Sequence, residues 1–157
     1  MFNLEWHNHY LFSLNILLVA FYNKVNISFL VLSAFFFGCL LPDLDHFFGY
    51  IRKSILQYRT WVQEPAGLVA IGLPVAYIAS KSNPLFFFVV ILAFLGHILL
   101  DYLCTHETFP LAPFTYKIKK SRFGFFRYTR ENGRGVSESY FFIFNIFLFL
   151  VIAAFIV

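Results

Sequence analysis

Five apolar stretches alternate along the chain with shorter polar segments. They cover residues 10–22, 27–41, 66–80, 85–103 and 140–157. A helix needs about 20 residues to cross the hydrocarbon layer of a membrane, or about 17 at the short end. The fourth and fifth stretches are long enough, whereas the first three would have to borrow flanking residues or pack in a bundle without spanning fully. The pattern predicts an all-α membrane bundle of about five apolar helices.

Short polar segments mark where these helices should begin and end. "NKVN" (23–26) and "KSNP" (81–84) predict tight turns between neighbouring helices. Pro84 would open the fourth helix, since proline is tolerated in the first turn. Ser137 and Glu138 would cap the fifth helix.

The composition supports the membrane class. Hydrophobic residues make up 60% of the 157 residues and charged residues 13%, with 24 phenylalanines and a mean hydropathy of +0.73. A soluble domain has about a quarter charged residues. The length and the lack of a linker predict one domain over residues 1–157. Cys39 and Cys104 lie in or beside apolar runs and lack zinc-finger spacing, so we expect both to be buried thiols.

The charges predict an orientation. If the segments alternate in direction, the N-terminus, residues 42–65 and residues 105–138 share one side. That side holds 10 of the 12 basic residues, all but Lys24 and Lys81. The positive-inside rule makes it cytoplasmic, with the C-terminus outside. The eight acids and five histidines fall on or near the same side, although short loops on the other side explain much of this asymmetry.

The segment "LPDLDH" places Asp43, Asp45 and His46 directly after an apolar run. Pro42 could start a helix, and carboxylates are favoured at a helix N-terminus. Two carboxylates so close together repel each other, however. A divalent cation would remove that repulsion and would use His46 as well.

His97 and Asp101 are four residues apart, so they share one face of a helix. An ionisable pair in an apolar segment is costly and usually functional. The aspartate can bind the same ion as the histidine, bridge to a second ion or orient the imidazole. A structural His–Asp hydrogen bond between helices is the alternative. Of His7 and His9, two residues apart, only one can face the same site, and both could be interfacial anchors.

Glu64 is the one acid between Asp45 and Asp101, and Arg59 nearby could clamp a phosphate with two hydrogen bonds. An Arg–Glu pair on a wet loop is the alternative. Imidazole and carboxylate ligands without thiolate suit zinc, manganese or iron. Two such ions about 3.5–4 Å apart would suit phosphoester hydrolysis.

Three stretches resemble signatures of one family. "GCLLPDLDHFFG" resembles the LPDxDH motif of the YdjM-like, LexA-binding, inner membrane-associated metal-dependent hydrolases. "LGHILLDYLCTHETFPLAPF" is similar to their second signature, GHxxxD, and "NHYLFS" is similar to an N-terminal motif that matches His9 and Ser13. The resemblance covers residues 8–114 and implies metal-dependent hydrolysis at a membrane. A looser likeness to zinc-dependent phospholipase C and related nucleases implies a phosphoester substrate.

One departure from that family concerns a ligand. Arg59 and Thr60 are kept, but Val62, Gln63 and Glu64 stand where members carry Thr-His-Ser, so a metal-binding histidine is missing. Gln63 is a poor substitute, whereas Glu64 can supply an oxygen. The departure predicts a different metal or a degenerate hydrolase.

These observations predict a polar metal site at the cytoplasmic face, holding one or two divalent ions, with zinc favoured and manganese or iron as alternatives. The candidate ligands are His9, Asp43, Asp45, His46, His97 and Asp101. Glu64, or else Asp43 or Asp45, would act as the base toward a metal-activated water, with Arg59 beside the substrate. A lipid phosphoester is the favoured substrate class.

Residues 113–138 form a basic segment rich in phenylalanine and tyrosine. Such a segment can lie on anionic headgroups or steer an anionic substrate. It could equally be an ordinary juxtamembrane loop, and no fold signature supports nucleic-acid binding.

A non-catalytic membrane protein is the alternative function, with the cluster as a structural or metal-sensing site. An ion path would need polar groups through the whole membrane depth. The outer halves of the segments offer only Asn15, Ser28 and Asn145.

Overall fold

The computed structural model describes residues 5–20, 28–44, 61–103, 111, 113–114, 126–127 and 136–156. Five helices occupy most of this part: α1 (Glu5–Ala20), α2 (Phe29–Leu40), α3 (Pro65–Ser80), α4 (Pro84–Leu103) and α5 (Glu138–Ile156). Two-residue strands, β1 (Phe126–Arg127) and β2 (Val136–Ser137), pair in parallel, with Phe126 opposite Val136. The predicted all-α class is confirmed.

The helix boundaries follow local capping. The Ser28 hydroxyl accepts the Val31 N–H at 3.4 Å before α2. The Asn83 side chain accepts the Leu85 N–H at 2.9 Å, and Pro84 opens α4 as predicted. The first helix begins at Glu5, earlier than the apolar pattern predicts, which places the "WHNHY" stretch inside α1. The turn predicted at 23–26 lies outside the described residues.

Among the described helices, α4 is the one long and apolar enough to cross a membrane. The segments Phe29–Asp43, Pro65–Ser80 and Ser139–Phe155 are shorter apolar helices. The prediction of full span length is therefore confirmed for the fourth segment, and the described apolar part of the fifth, Ser139–Phe155, lies at the short end of the range.

Helix α4 is the centre of the bundle, and α1, α2 and α3 pack against it, while α5 packs against α1. One core cluster joins Phe35 of α2 and Leu17 of α1 to Val89 of α4. A second joins Ala76 of α3 to Phe94 of α4. Each neighbour thus buries an apolar face against α4, which fixes the positions of polar residues at the helix ends.

Small residues allow two of these helices to approach α4 closely. A Cβ atom on Gly96 would lie 2.6 Å from Ser13 Oγ of α1, and one on Gly38 of α2 would lie 2.9 Å from Ala93 Cβ. Small residues at helix contacts favour close packing in membranes. Both contacts lie near His97, so they set the distances between helices at that level.

We expect the Gly96→Ala variant to be destabilised by about 1–3 kcal/mol, the usual cost of an added methyl group in a packed core. The added carbon meets the Ser13 backbone as well as its side chain, so α1 must shift away. Gly72→Ala is the matched control, because the three atoms nearest its new carbon belong to the side chains of Leu68 and Phe94 and none of them is backbone. Unfolding by SDS titration in micelles measures both, and equal stability of the two variants would contradict the prediction.

A buried polar contact joins the first and last helices. The Asn15 amide donates to the Asn145 carbonyl oxygen at 3.1 Å and lies 3.4 Å from its side-chain oxygen. The Asn145 amide donates to the carbonyl of Phe141 at 3.1 Å. These two residues and Ser28, which caps α2, have structural roles, and this argues against an ion path.

Candidate metal centre

The described candidate residues come from four elements that meet at one end of the bundle. His9 lies near the start of α1, and Asp43 ends a 3₁₀ turn, Leu41–Asp43, that follows α2. His97 and Asp101 lie near the end of α4. Glu64 immediately precedes α3. This grouping agrees with the sequence-based expectation of a single polar face.

Three short separations link the candidate ligand atoms. His9 Nε2 lies 3.4 Å from Asp101 Oδ1. His97 Nε2 lies 3.8 Å from Asp101 Oδ2 and 3.5 Å from Asp43 Oδ1. His9, His97 and Asp101 are buried, and the Asp43 side chain is 14% exposed. The four side chains therefore form one compact and mostly dry cluster.

These separations are compatible with ligands that share one ion. Hydrogen bonds between nitrogen and oxygen usually measure about 2.7–3.2 Å. Two ligands about 2.1 Å from one tetrahedral ion lie about 3.4 Å apart. The ligand atoms of His9, His97 and Asp101 all lie within 4.8 Å of one another. The donor set therefore fits a divalent cation.

The backbone orients His97 for that role. Its Nδ1 lies 3.0 Å from the carbonyl oxygen of Cys39, which can only accept, so Nδ1 carries the hydrogen. The Nε2 atom then directs its lone pair toward the carboxylates of Asp43 and Asp101. A metal ligand held through its second nitrogen has this arrangement.

The two imidazole rings also stack. The ring centroids of His9 and His97 are 4.0 Å apart, with an angle of 27° between the planes. Two imidazolium charges at this distance would repel each other strongly in a buried site. The stack therefore disfavours two protonated histidines and is compatible with neutral rings that act as metal ligands.

Gln63 and Glu64 reach the same end of the bundle. The Gln63 amide, buried, donates to Asp43 Oδ1 at 3.2 Å. Gln63 thus contacts a candidate ligand by a hydrogen bond. Glu64 is fully buried, and the Tyr102 hydroxyl donates to its Oε2 at 2.7 Å. The alternative of a wet loop for Glu64 is therefore wrong.

Several predicted residues lie outside the described part of the chain. They are Asp45, His46, Arg59 and most of the basic segment 113–138. His7 is exposed on α1, and its ring centroid lies 6.2 Å from that of Phe142 in an edge-to-face arrangement. His9, whose Nε2 lies near Asp101, is therefore the α1 histidine that faces the cluster. The sequence reasoning missed Tyr102 and the Cys39 carbonyl. For Tyr102, its position directly after Asp101 was the available signal.

Comparisons with known proteins give one family. The family model described as YdjM inner membrane protein matches residues 4–157. No curated protein and no solved structure matches the chain. The match includes all five described helices and every residue of the cluster.

Proposed function

The chain belongs to the YdjM inner membrane protein family, and we propose that it is a metal-dependent hydrolase of phosphoester substrates. The observation that carries the proposal is the buried group of His9, His97 and Asp101, with ligand atoms at separations suited to one ion. Charged and polar groups inside a membrane protein are costly and usually functional. A divalent cation offsets that cost and supplies a reactive centre.

Four described side chains would hold the ion: His9, Asp43, His97 and Asp101. Asp45 and His46 are predicted to join them. Zinc is favoured, with manganese or iron as alternatives, because the set combines imidazole and carboxylate without thiolate. When bound, such an ion supplies a Lewis acid that lowers the pKa of water and neutralises charge on a phosphoryl group.

Glu64 is the proposed base. It is buried beside the cluster but is not one of the three residues in the compact ligand group. The Tyr102 hydroxyl donates to Oε2 and orients the carboxylate, which would take a proton from attacking water. Positioned bases of this kind accelerate hydrolysis. Arg59 is the proposed clamp for the phosphate.

A lipid phosphoester is the proposed substrate class. The Asp43 side chain is more exposed than those of His9, His97 and Asp101, so substrate would approach on its side. Large apolar residues at the end of α2 and just after the 3₁₀ turn are also exposed, namely Phe36, Phe37, Leu40 and Leu44. Acyl chains against this face would bring a headgroup to the site. The cytoplasmic orientation and the headgroup contacts of segment 113–138 are part of the proposal.

Metal content and hydrolysis test the proposal together. We expect the full chain, purified in detergent, to hold one or two ions of zinc, manganese or iron by elemental mass spectrometry. It should hydrolyse p-nitrophenyl phosphoesters or dispersed phosphatidic acid, lose activity with a chelator and regain it with metal. Bound metal without turnover of any phosphoester would contradict hydrolysis and favour a structural or sensing site. Absence of metal after refilling would overturn the metal site itself.

A further inference from the structure

We propose that residues 61–64, here called the positioning turn, set the distance between the Asp43 carboxylate and the ligands on α4. This inference rests on the proposed metal site and adds positioning residues to it. Asp43 follows α2, whereas His97 and Asp101 belong to α4. The positioning turn contacts both elements through two consecutive side chains, Gln63 and Glu64.

The first contact is a hydrogen bond from Gln63 to Asp43. Gln63 Nε2 donates to Asp43 Oδ1, the same oxygen that lies 3.5 Å from His97 Nε2. Gln63 is 3% exposed, so water does not compete readily for this hydrogen bond. A hydrogen bond to a ligand carboxylate fixes its orientation and tunes metal affinity.

The second contact is a hydrogen bond between Tyr102 of α4 and Glu64. Tyr102 directly follows Asp101, and its hydroxyl donates to Glu64 Oε2 at 2.7 Å. Glu64 is fully buried. A short hydrogen bond to a buried carboxylate is among the stronger kinds. The positioning turn is therefore tied to α4 beside one ligand and to the end of α2 at another.

Backbone constraints make the positioning turn stiff. Glu64 precedes Pro65 and has the extended conformation that proline favours in the residue before it. Its N–H donates to the carbonyl of Trp61 at 3.2 Å, and its own carbonyl accepts from Gly67 at 2.8 Å. A Cβ on Gly67 would clash with the carbonyl oxygen of Val62. Only glycine allows this approach, so the turn packs directly on the start of α3.

Because the positioning turn is stiff, its two hydrogen bonds together constrain the distance between Asp43 and α4. If either bond is lost, the link from Asp43 through the positioning turn to α4 is weaker. The predicted consequence is a weaker site with altered ligand geometry, in an otherwise folded protein. Gln63 and Tyr102 act through Asp43 and Glu64, so they are positioning residues.

The test compares Gln63→Met and Tyr102→Phe, which keep side-chain volume and remove one donor each. Tyr77→Phe is the matched control, since Tyr77 is exposed on α3 away from the cluster. Zn²⁺ affinity of the full chain in detergent is measured by competition with a chelator, and Co²⁺ absorption reports ligand geometry. We expect about 10–100-fold weaker Zn²⁺ binding for each of the two variants and a changed Co²⁺ spectrum. Removing a donor to a buried carboxylate also lowers the metal-free stability, so we expect the loss in free energy of Zn²⁺ binding to exceed the loss in metal-free stability.

Each outcome separates the two proposals. Wild type that binds Zn²⁺ with both variants unchanged would overturn the positioning role and leave the metal site intact. Weaker binding accompanied by an equal loss of metal-free stability and an unchanged Co²⁺ spectrum would also overturn it, because that result indicates a merely structural role. Wild type that binds neither metal would overturn the proposed function and this inference with it.

Discussion

The His97→Gln variant is expected to lose its bound metal. His97 Nε2 lies 3.5 Å from Asp43 Oδ1 and 3.8 Å from Asp101 Oδ2, so this one nitrogen is near two other candidate ligands. Even partners outside the ligand shell change metal affinity by about 10–100-fold, and loss of this ligand should exceed that range. Elemental mass spectrometry and chelator competition on the purified chain measure the loss.

Glutamine keeps an N–H that can still bond the Cys39 carbonyl, so the fold should persist. His7→Gln is the matched control, because His7 is exposed and faces away from the cluster. That variant should hold as much metal as wild type. Equal metal content in the two variants would show that His97 is not a ligand.

The Glu64→Gln variant should retain metal and lose about 10²–10⁴-fold in kcat, the usual contribution of a positioned base. The amide cannot take a proton from water, yet its oxygen can still accept the Tyr102 hydroxyl. Packing around this fully buried side chain should therefore be preserved. Steady-state hydrolysis of a phosphoester, with metal content determined on the same sample, measures the effect.

Two results would contradict the assignment of Glu64. If kcat of the Glu64→Gln variant is unchanged, Glu64 is not the base, and Asp43 or Asp45 becomes the candidate. A loss of metal together with activity would make Glu64 a ligand, as its oxygen chemistry allows. The metal determination on the same sample distinguishes these outcomes.

The fold could be largely predicted from apolar runs, because each described helix buries an apolar face against a neighbour. The start of α1 could not be predicted in this way, because residues 5–9 precede the first apolar stretch and are mostly polar. These residues are helical because one face of that turn packs inside the bundle, where Asn8 and His9 are buried. Hydropathy averages over a window and cannot separate two faces of one polar turn.

Parts of the candidate site could be predicted because their spacing is local. His97 and Asp101 are one helical turn apart, and that spacing alone places them together. His9 lies close to His97 and Asp101 because α1 approaches α4 closely at Gly96, and this contact joins segments that are distant in the sequence. The hydrogen bonds of Gln63 and Tyr102 also join distant segments. The Cys39 carbonyl belongs to the backbone, which has no residue signature.

The hydrogen bond between Asn15 and Asn145 bears on the order of assembly. The two residues are 130 positions apart, so their contact cannot form until the last helix has been synthesised and inserted. Until then the Asn15 amide must tolerate lipid or find a temporary partner. Helices α2, α3 and α4 can dock on one another earlier, because their contacts close shorter loops at lower entropic cost. The last helix thus completes the burial of the first, which carries His9, only when the whole chain is in the membrane.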